Sequence, residues 1–231
     1  MKVSDIQVTL IDHMGSDLSV VNAARVSFHK ESEPARNWAG DIDGLIEKDE
    51  KLINYLAKHK HFSPFNHSFI TMRVKAPIFV ARQLVKHKFL PWNEVSRRYV
   101  KDNLEFYMPN DYRLQAENVK QGSSLETISD FINPWGGEKC PINDVIRQHI
   151  EASYTLYDAL IAQKVCAEQA RMVLPQNMMT EWMWSGTLGA WCDMLRLRLD
   201  PHTQYESRIV AQKARALIEP IFPVSVKALL D

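Results

Sequence analysis

The chain has little of what marks several common kinds of protein. Among its 231 residues there are three cysteines, Cys140, Cys166 and Cys192. They are odd in number and widely spaced, which makes no disulfide framework, and without a CxxC pair they make no zinc site. All three are read as buried small apolar residues, the usual state of a free cysteine. The eight glycines form neither a GxGxxG run after a strand nor a Walker A loop, which argues against a Rossmann oxidoreductase or a P-loop enzyme. No apolar run approaches the length of a bilayer, and "MKVSDIQVTLIDHMG" lacks the apolar core and small residues of a signal peptide. The expectation is a cytoplasmic protein that does not contact membrane. Net charge is also lacking: 28 basic residues face 28 acidic ones. That balance argues against a nucleic-acid coat, so any basic patch is local and suits a small anionic ligand.

What is present is an ordinary globular composition, 45% hydrophobic and 24% charged, in a length that favours one domain. "IQVTLIDHMG" predicts a strand ending at Gly15, and "SVVNAARVSF" a helix capped by Ser16 or Asp17. Residues 30–46 predict an exposed loop, and "DEKLINYLAKH" a helix. "SFITMRVKAP" sets Ile70, Met72, Val74 and Ala76 against Phe69, Thr71, Arg73 and Lys75, the alternation of a strand. Pro77 then suits the first turn of a helix over 78–88, with Pro91 ending that helix and "PWNEVSRRY" left as loop or turn. Residues 116–141 predict a second variable stretch. Residues 142–173 predict helix, interrupted by Pro175, and "TEWMWSGTLGAWCDMLRLRL" continues a helix-compatible pattern. Asp200 and Pro201 open a last helix. The fold class is α+β, a single domain with a mostly antiparallel sheet flanked by helices.

Positive charge gathers in residues 80–99, where Arg82, Lys86, Lys88, Arg97 and Arg98 surround Asn93, Glu94 and Ser96. A hydroxyl, two guanidinium forks and backbone N–H groups in one loop suit a phosphate, through charge-assisted bonds. On a helix, Arg82, Gln83, Lys86 and His87 share a face and offer positives to a second anion. A solvated basic face is the plain alternative, against which the mixed polar residues weigh. A nucleotide- or RNA-binding module, with Trp92 and Tyr99 stacking on bases, is a second functional class; packing is the preferred reading of both aromatics.

The segment resembles the signature of flavin-dependent thymidylate synthases, Arg-His-Arg, seven residues, Ser, then Arg-Tyr. Here it reads Lys86-His87-Lys88, seven residues, Ser96, then Arg98-Tyr99, with Asn93 and Glu94 also matching. "NAARVSF" (22–28), "KAPIFVARQ" (75–83), "ARMVLP" (170–175) and "LRLRLDPHTQYE" (195–206) resemble family blocks in the family's order. The resemblance implies conversion of dUMP to dTMP, with methylenetetrahydrofolate as carbon donor and FAD reduced by NADPH, without a cysteine nucleophile, in a homotetramer with shared active sites. It implies that Gln83, Lys86, Glu94, Ser96, Arg97, Arg98, Arg171 and Arg198 bind dUMP, with Arg198 favouring ionisation of the uracil. It implies flavin contacts from Ser63, Asn66, Lys86, His87, Lys88, Phe89, Glu94, Thr187 and Asp193, with His61 at the flavin and folate site. His59, His61 and His67 also read as surface histidines, and their spacing fits no common zinc pattern, so no metal is expected.

The departures from the family are specific. Both signature arginines are lysines, which keep the charge but not the bidentate fork. Ser63 and Asn66 stand where the family has Thr and Glu. Thr187, Gly189 and Asp193 stand where it often has Asn, Arg and Asn. Altered chemistry, such as hydroxymethylation of a pyrimidine nucleotide, is the alternative these departures leave open.

Overall fold

The computed structural model describes residues 1–41, 44–117 and 122–231; residues 42–43 and 118–121, within the two predicted variable stretches, lie outside the described residues. In chain order the strands are β1 (Lys2–Val3), β2 (Gln7–Met14), β3 (Phe69–Pro77), β4 (Trp92–Glu94), β5 (Glu105–Phe106), β6 (Tyr112–Gln115), β7 (Ser123–Ile128), β8 (Asp130–Ile132), β9 (Lys139–Pro141) and β10 (Met179–Thr187). The helices are α1 (Asp17–Arg25), α2 (Glu47–Lys58), α3 (Ile78–Leu84), α4 (Ile142–Ala162), α5 (Ala167–Ala170), α6 (Leu188–Arg198), α7 (Tyr205–Ile218) and α8 (Pro223–Leu230).

The main sheet has the order β2-β3-β10-β4, and every pairing in it is antiparallel. The alternation in β3 is the one the sequence predicts: Ile70, Met72, Val74 and Ala76 are fully buried. β10 repeats it with Thr180, Trp182, Trp184 and Gly186 inward, because successive strand side chains point to opposite faces. Helices cover the buried face: α6 packs on α7 and α8, α2 on α8, and α7 on β2. A second apolar cluster, including Phe106, Ile150, Tyr157 and Met178, secures α4.

Several expectations are corrected. "TEWMWSGT" is the central strand rather than helix, which begins only at Leu188. The helix expected over 78–88 stops at Leu84, with Pro77 as its N-cap residue. Residues 92–94, expected as loop, pair with β10 as β4. The stretch 116–141 contains β7, β8 and β9, which form hairpins β6–β7 and β8–β9. The 142–173 helix breaks at residues 163–166, with Lys164 in the left-handed region at φ 65°. Asp200 accepts from the His202 N–H in a turn, α7 starts at Tyr205, and α8 follows it. Of the cysteines only Cys192 is buried; Cys140 is partly exposed and Cys166 exposed. Ser16 caps α1, while Asp17 caps α8, accepting from the N–H groups of Val224 at 2.8 Å and Ser225 at 3.0 Å.

Glu105 ties the small parallel pair β1–β5 to the main sheet. Its carboxylate accepts from Lys2 Nζ at 2.6 Å and pairs with Lys75 of β3. These two ammonium groups hold its carboxyl down from 4.5 to about 2. A carboxyl depressed by folding contributes stability above its unfolded value and loses it as pH falls towards its folded one. Glu105→Gln is therefore expected to be less stable than the parent at pH 7, with the gap narrowing between pH 4.5 and about 2. Urea midpoints across that range are the measurement; a gap that stays constant would refute the linkage.

Candidate active site

The turn that follows α3 can reach the sheet because of Gly186. A Cβ there would lie 2.3 Å from Leu90 Cδ2 and 3.1 Å from the Phe89 carbonyl oxygen, so a side chain at 186 would displace the Leu90 side chain and crowd the turn where residues 89–90 rest on β10. The chain then enters β4, where Trp92 stacks on Trp182 with centroids 4.1 Å apart and planes 18° apart. Trp184 meets both rings edge-on, and Trp191 joins it at 5.1 Å. Trp92 is thus a packing residue. Tyr99 stays largely exposed beside the Arg98 guanidinium.

Beyond the tryptophans lies a cleft of about 760 Å³ whose lining includes Arg82, Glu94, Ser96, Arg97, Arg98 and Arg171. Glu94 is held at both oxygens, by the Thr180 hydroxyl at 2.7 Å and by Trp92 Nε1 at 3.1 Å. Ser96 Oγ accepts from the Arg98 N–H at 3.3 Å. Arg98 donates to Glu168 at 3.4 Å, and Arg171 Nε donates to the Glu168 carbonyl at 3.4 Å. Arg97 is turned inward onto the carbonyls of Asp102 and Met179, and burial lowers its pKa. Arg82 makes no hydrogen bond or ion pair with the described residues, which leaves its whole fork for a ligand. Arg82, Arg98 and Arg171 thus line the cleft beside two carboxylates, Glu94 and Glu168, which leaves positive side chains in excess there. Arg82 is the cleft arginine the resemblance passed over in favour of Gln83. Gln83 does not line the cleft, because its amide oxygen accepts from the buried Ser207 hydroxyl. The contact between α3 and α7 decides this, and the sequence carries no local signal for it.

The remaining predicted residues gather elsewhere. Arg198 Nε donates to His87 Nε2 at 3.0 Å, beside Trp184 and outside the cleft. Lys86, Lys88 and Phe89 are set on the turn after α3, with Phe89 strongly exposed. At the end of β10 the Thr187 hydroxyl donates to Asn66 Oδ1 at 2.8 Å and accepts from the Ala190 N–H, capping α6. Gly189 makes room for this, since a Cβ there would lie 2.5 Å from Asn66 Oδ1. The departures at 66 and 189 are therefore one event in space: a shorter amide fills the room a missing side chain leaves. Ser63 lies in the 3₁₀ turn Ser63–Asn66. His61 is exposed, edge-on to Tyr55 at 6.1 Å, and Asp193 pairs with Arg196 at 2.8 Å.

Fold and cleft together define an α+β protein with an arginine-rich cleft beside an antiparallel sheet. The chain belongs to the thymidylate synthase complementing protein (Thy1) family, whose pattern matches residues 9–224. It is 36% identical over 226 residues to the flavin-dependent thymidylate synthase of Kosmotoga olearia, spanning 97% of this chain and 90% of that one. A flavin-dependent thymidylate synthase of Thermus thermophilus is 38% identical over 212 residues, 92% of this chain and 70% of the relative. Among solved structures, the UMP/dUMP methylase PolB from Streptomyces cacaoi, bound with 5-Br dUMP, superimposes with a TM-score of 0.80 at 28% identity, covering 99% of this chain and 96% of PolB. The family is one of enzymes, and the mostly antiparallel α+β architecture is shared with PolB. No helix among the described residues is long and apolar enough to cross a membrane.

Proposed function

We propose that this protein converts dUMP to dTMP, taking a methylene group from methylenetetrahydrofolate and reducing equivalents from NADPH through FAD. The cleft carries this reading: Arg82, Ser96, Arg98 and Arg171 surround a space sized for a nucleotide with donors suited to its phosphate. The 5-Br dUMP held by PolB on the same fold supports it.

The residues also fit FAD. Lys86 and Lys88 flank His87 and have no carboxylate partner among the described residues, so two free ammonium groups are available to a pyrophosphate. Phe89, 81% exposed, offers an apolar ring face, Thr187, bonded to Asn66, follows the Gly186 on which that turn rests, and Ser63 and Asp193 offer further polar groups. FAD bound there would supply the hydride that reduces the transferred carbon. The other tasks fall to the chain. Arg198 stabilises negative charge developing at the N3/O2 edge of uracil as C5 becomes the nucleophile. No thiol serves as nucleophile: burial pushes Cys192 up to about 12 and also raises Cys140, and none of the three cysteines lines the cleft.

Arg198 is bonded to His87 and is not among the residues that line the cleft, which supports a site assembled from more than one copy. A second copy completes the site, in a homotetramer with shared active sites.

The test is product mass spectrometry with dUMP, methylenetetrahydrofolate, FAD and NADPH, omitting each in turn, with UMP run in parallel because PolB is described as acting on both nucleotides. A methylated product that requires FAD is expected. A hydroxymethylated product, or none, would overturn the reading.

A further inference from the structure

Arg198 is the last residue of α6, and among the described residues a single hydrogen bond holds its guanidinium, from Nε to His87 Nε2 at 3.0 Å. Nε2 is therefore a lone-pair acceptor, and the imidazole proton resides on Nδ1. Burial first, and the charge of Arg198 second, push His87 down to about 4, which keeps the ring neutral at physiological pH. The ring is itself fixed. Its backbone N–H donates to the Leu84 carbonyl at 3.1 Å, and its edge meets the fully buried Trp184 with centroids 6.1 Å apart. The turn after it rests on Gly186.

Bonding through Nε leaves both terminal nitrogens of Arg198 without an acceptor among the described residues. Those terminal N–H groups are the donors that can address a ligand. A free arginine side chain loses rotamer entropy when it is fixed. Fixing it before a ligand arrives is the preorganisation on which electrostatic catalysis depends.

We infer that His87 is the positioning residue of Arg198, a neutral imidazole that anchors Nε and thereby aims the terminal N–H groups at the pyrimidine edge. The inference rests on the role proposed above for Arg198, and it gives His87 a task distinct from touching flavin. Glutamine keeps an acceptor at this position and alanine does not, so the two substitutions separate anchoring from bulk.

Two measurements test it. In ligand-free protein labelled with ¹⁵N-arginine, the Arg198 Nε–H resonance, assigned by its absence from Arg198→Ala, is expected to exchange slowly. It is expected to shift and exchange faster in His87→Ala and to be largely retained in His87→Gln. In turnover, His87→Ala is expected to lower kcat about 10- to 100-fold, the scale of a misplaced catalytic group, with KM for dUMP and flavin content nearly unchanged. His87→Gln should recover most of that loss, and adding His87→Ala to Arg198→Ala should cost nothing further, since the two act as one unit. Additive losses, or loss of flavin with the Nε–H resonance unmoved, would overturn the inference and make His87 a cofactor contact. Full activity in Arg198→Ala would instead remove the role of Arg198 itself, an outcome visible whatever the resonance shows.

Discussion

Replacement of Arg198 by alanine is expected to lower kcat/KM for dUMP by about 10²- to 10³-fold, the scale of deleting one preorganised donor from a charge-stabilising site. Flavin content should stay near that of the parent protein, because Arg198 is engaged with His87 rather than with the ammonium groups of Lys86 and Lys88. Partial burial lowers the pKa of the Arg198 guanidinium, and the same partial desolvation reduces the screening of its attraction for developing negative charge. Arg198→Lys should recover only part of the loss: an ammonium keeps the charge but not the separation between an anchored Nε and two free terminal nitrogens. Steady-state kinetics together with the flavin-to-protein absorbance ratio decide the matter. A fully active Arg198→Ala enzyme would remove the residue from the mechanism.

The second large effect is a restoration. Arg171→Ala and Arg198→Ala are each expected to be almost inactive, since one strips the cleft and the other the group beside His87. Co-expressed or mixed under exchange conditions, they should regain about a quarter of the parent activity, the fraction of sites that draw an intact residue from each of two copies in random assembly. The structural reason is the layout of β10. Thr180 serves the cleft, Trp184 backs His87, and Thr187 holds Asn66, and these points are strung along one strand with buried indoles between them. If both arginines acted from the same chain, mixing would restore nothing, because every protomer would carry one defect. Activity of tagged hybrids separated by defect composition is the cleanest form of the measurement.

Much of this is legible in the sequence, and the failures have physical causes. β3 is readable because its apolar and polar residues alternate without exception from Ile70 to Ala76. β10 is not, because Trp184, Leu188, Trp191 and Leu195 also fall at helical spacing and hide the period of two in Thr180, Trp182, Trp184 and Gly186. Its pairing with β3 joins residues more than a hundred positions apart, which no local pattern encodes. The α3 helix is overextended by a sequence reading because Arg82–Lys86 and Gln83–His87 fit helical spacing. The chain instead leaves the helix so that Phe89 and Leu90 can lie on Gly186. The site residues are legible as a set through the signature and its flanking blocks. Their division into a cleft group and a group around His87 is not, since that depends on which end of β10 each turn meets. Arg82 and Gln83 show the same limit at the scale of one bond, because Ser207 of α7 decides which of the two faces the cleft.

β10 also acts as a ruler. With the cleft at one end and Asn66 at the other, the spacing of the two half-sites is set by about seven residue rises of a rod clamped on both edges. Inserting or deleting a single residue within it would invert the facing of everything beyond that point and change the separation at once. Length variation is therefore free to accumulate only where it does not alter that spacing, in the stretch before α2 and around the hairpins at 112–141. Evolution can change the outline of the protein there while the distance between its working parts stays constant.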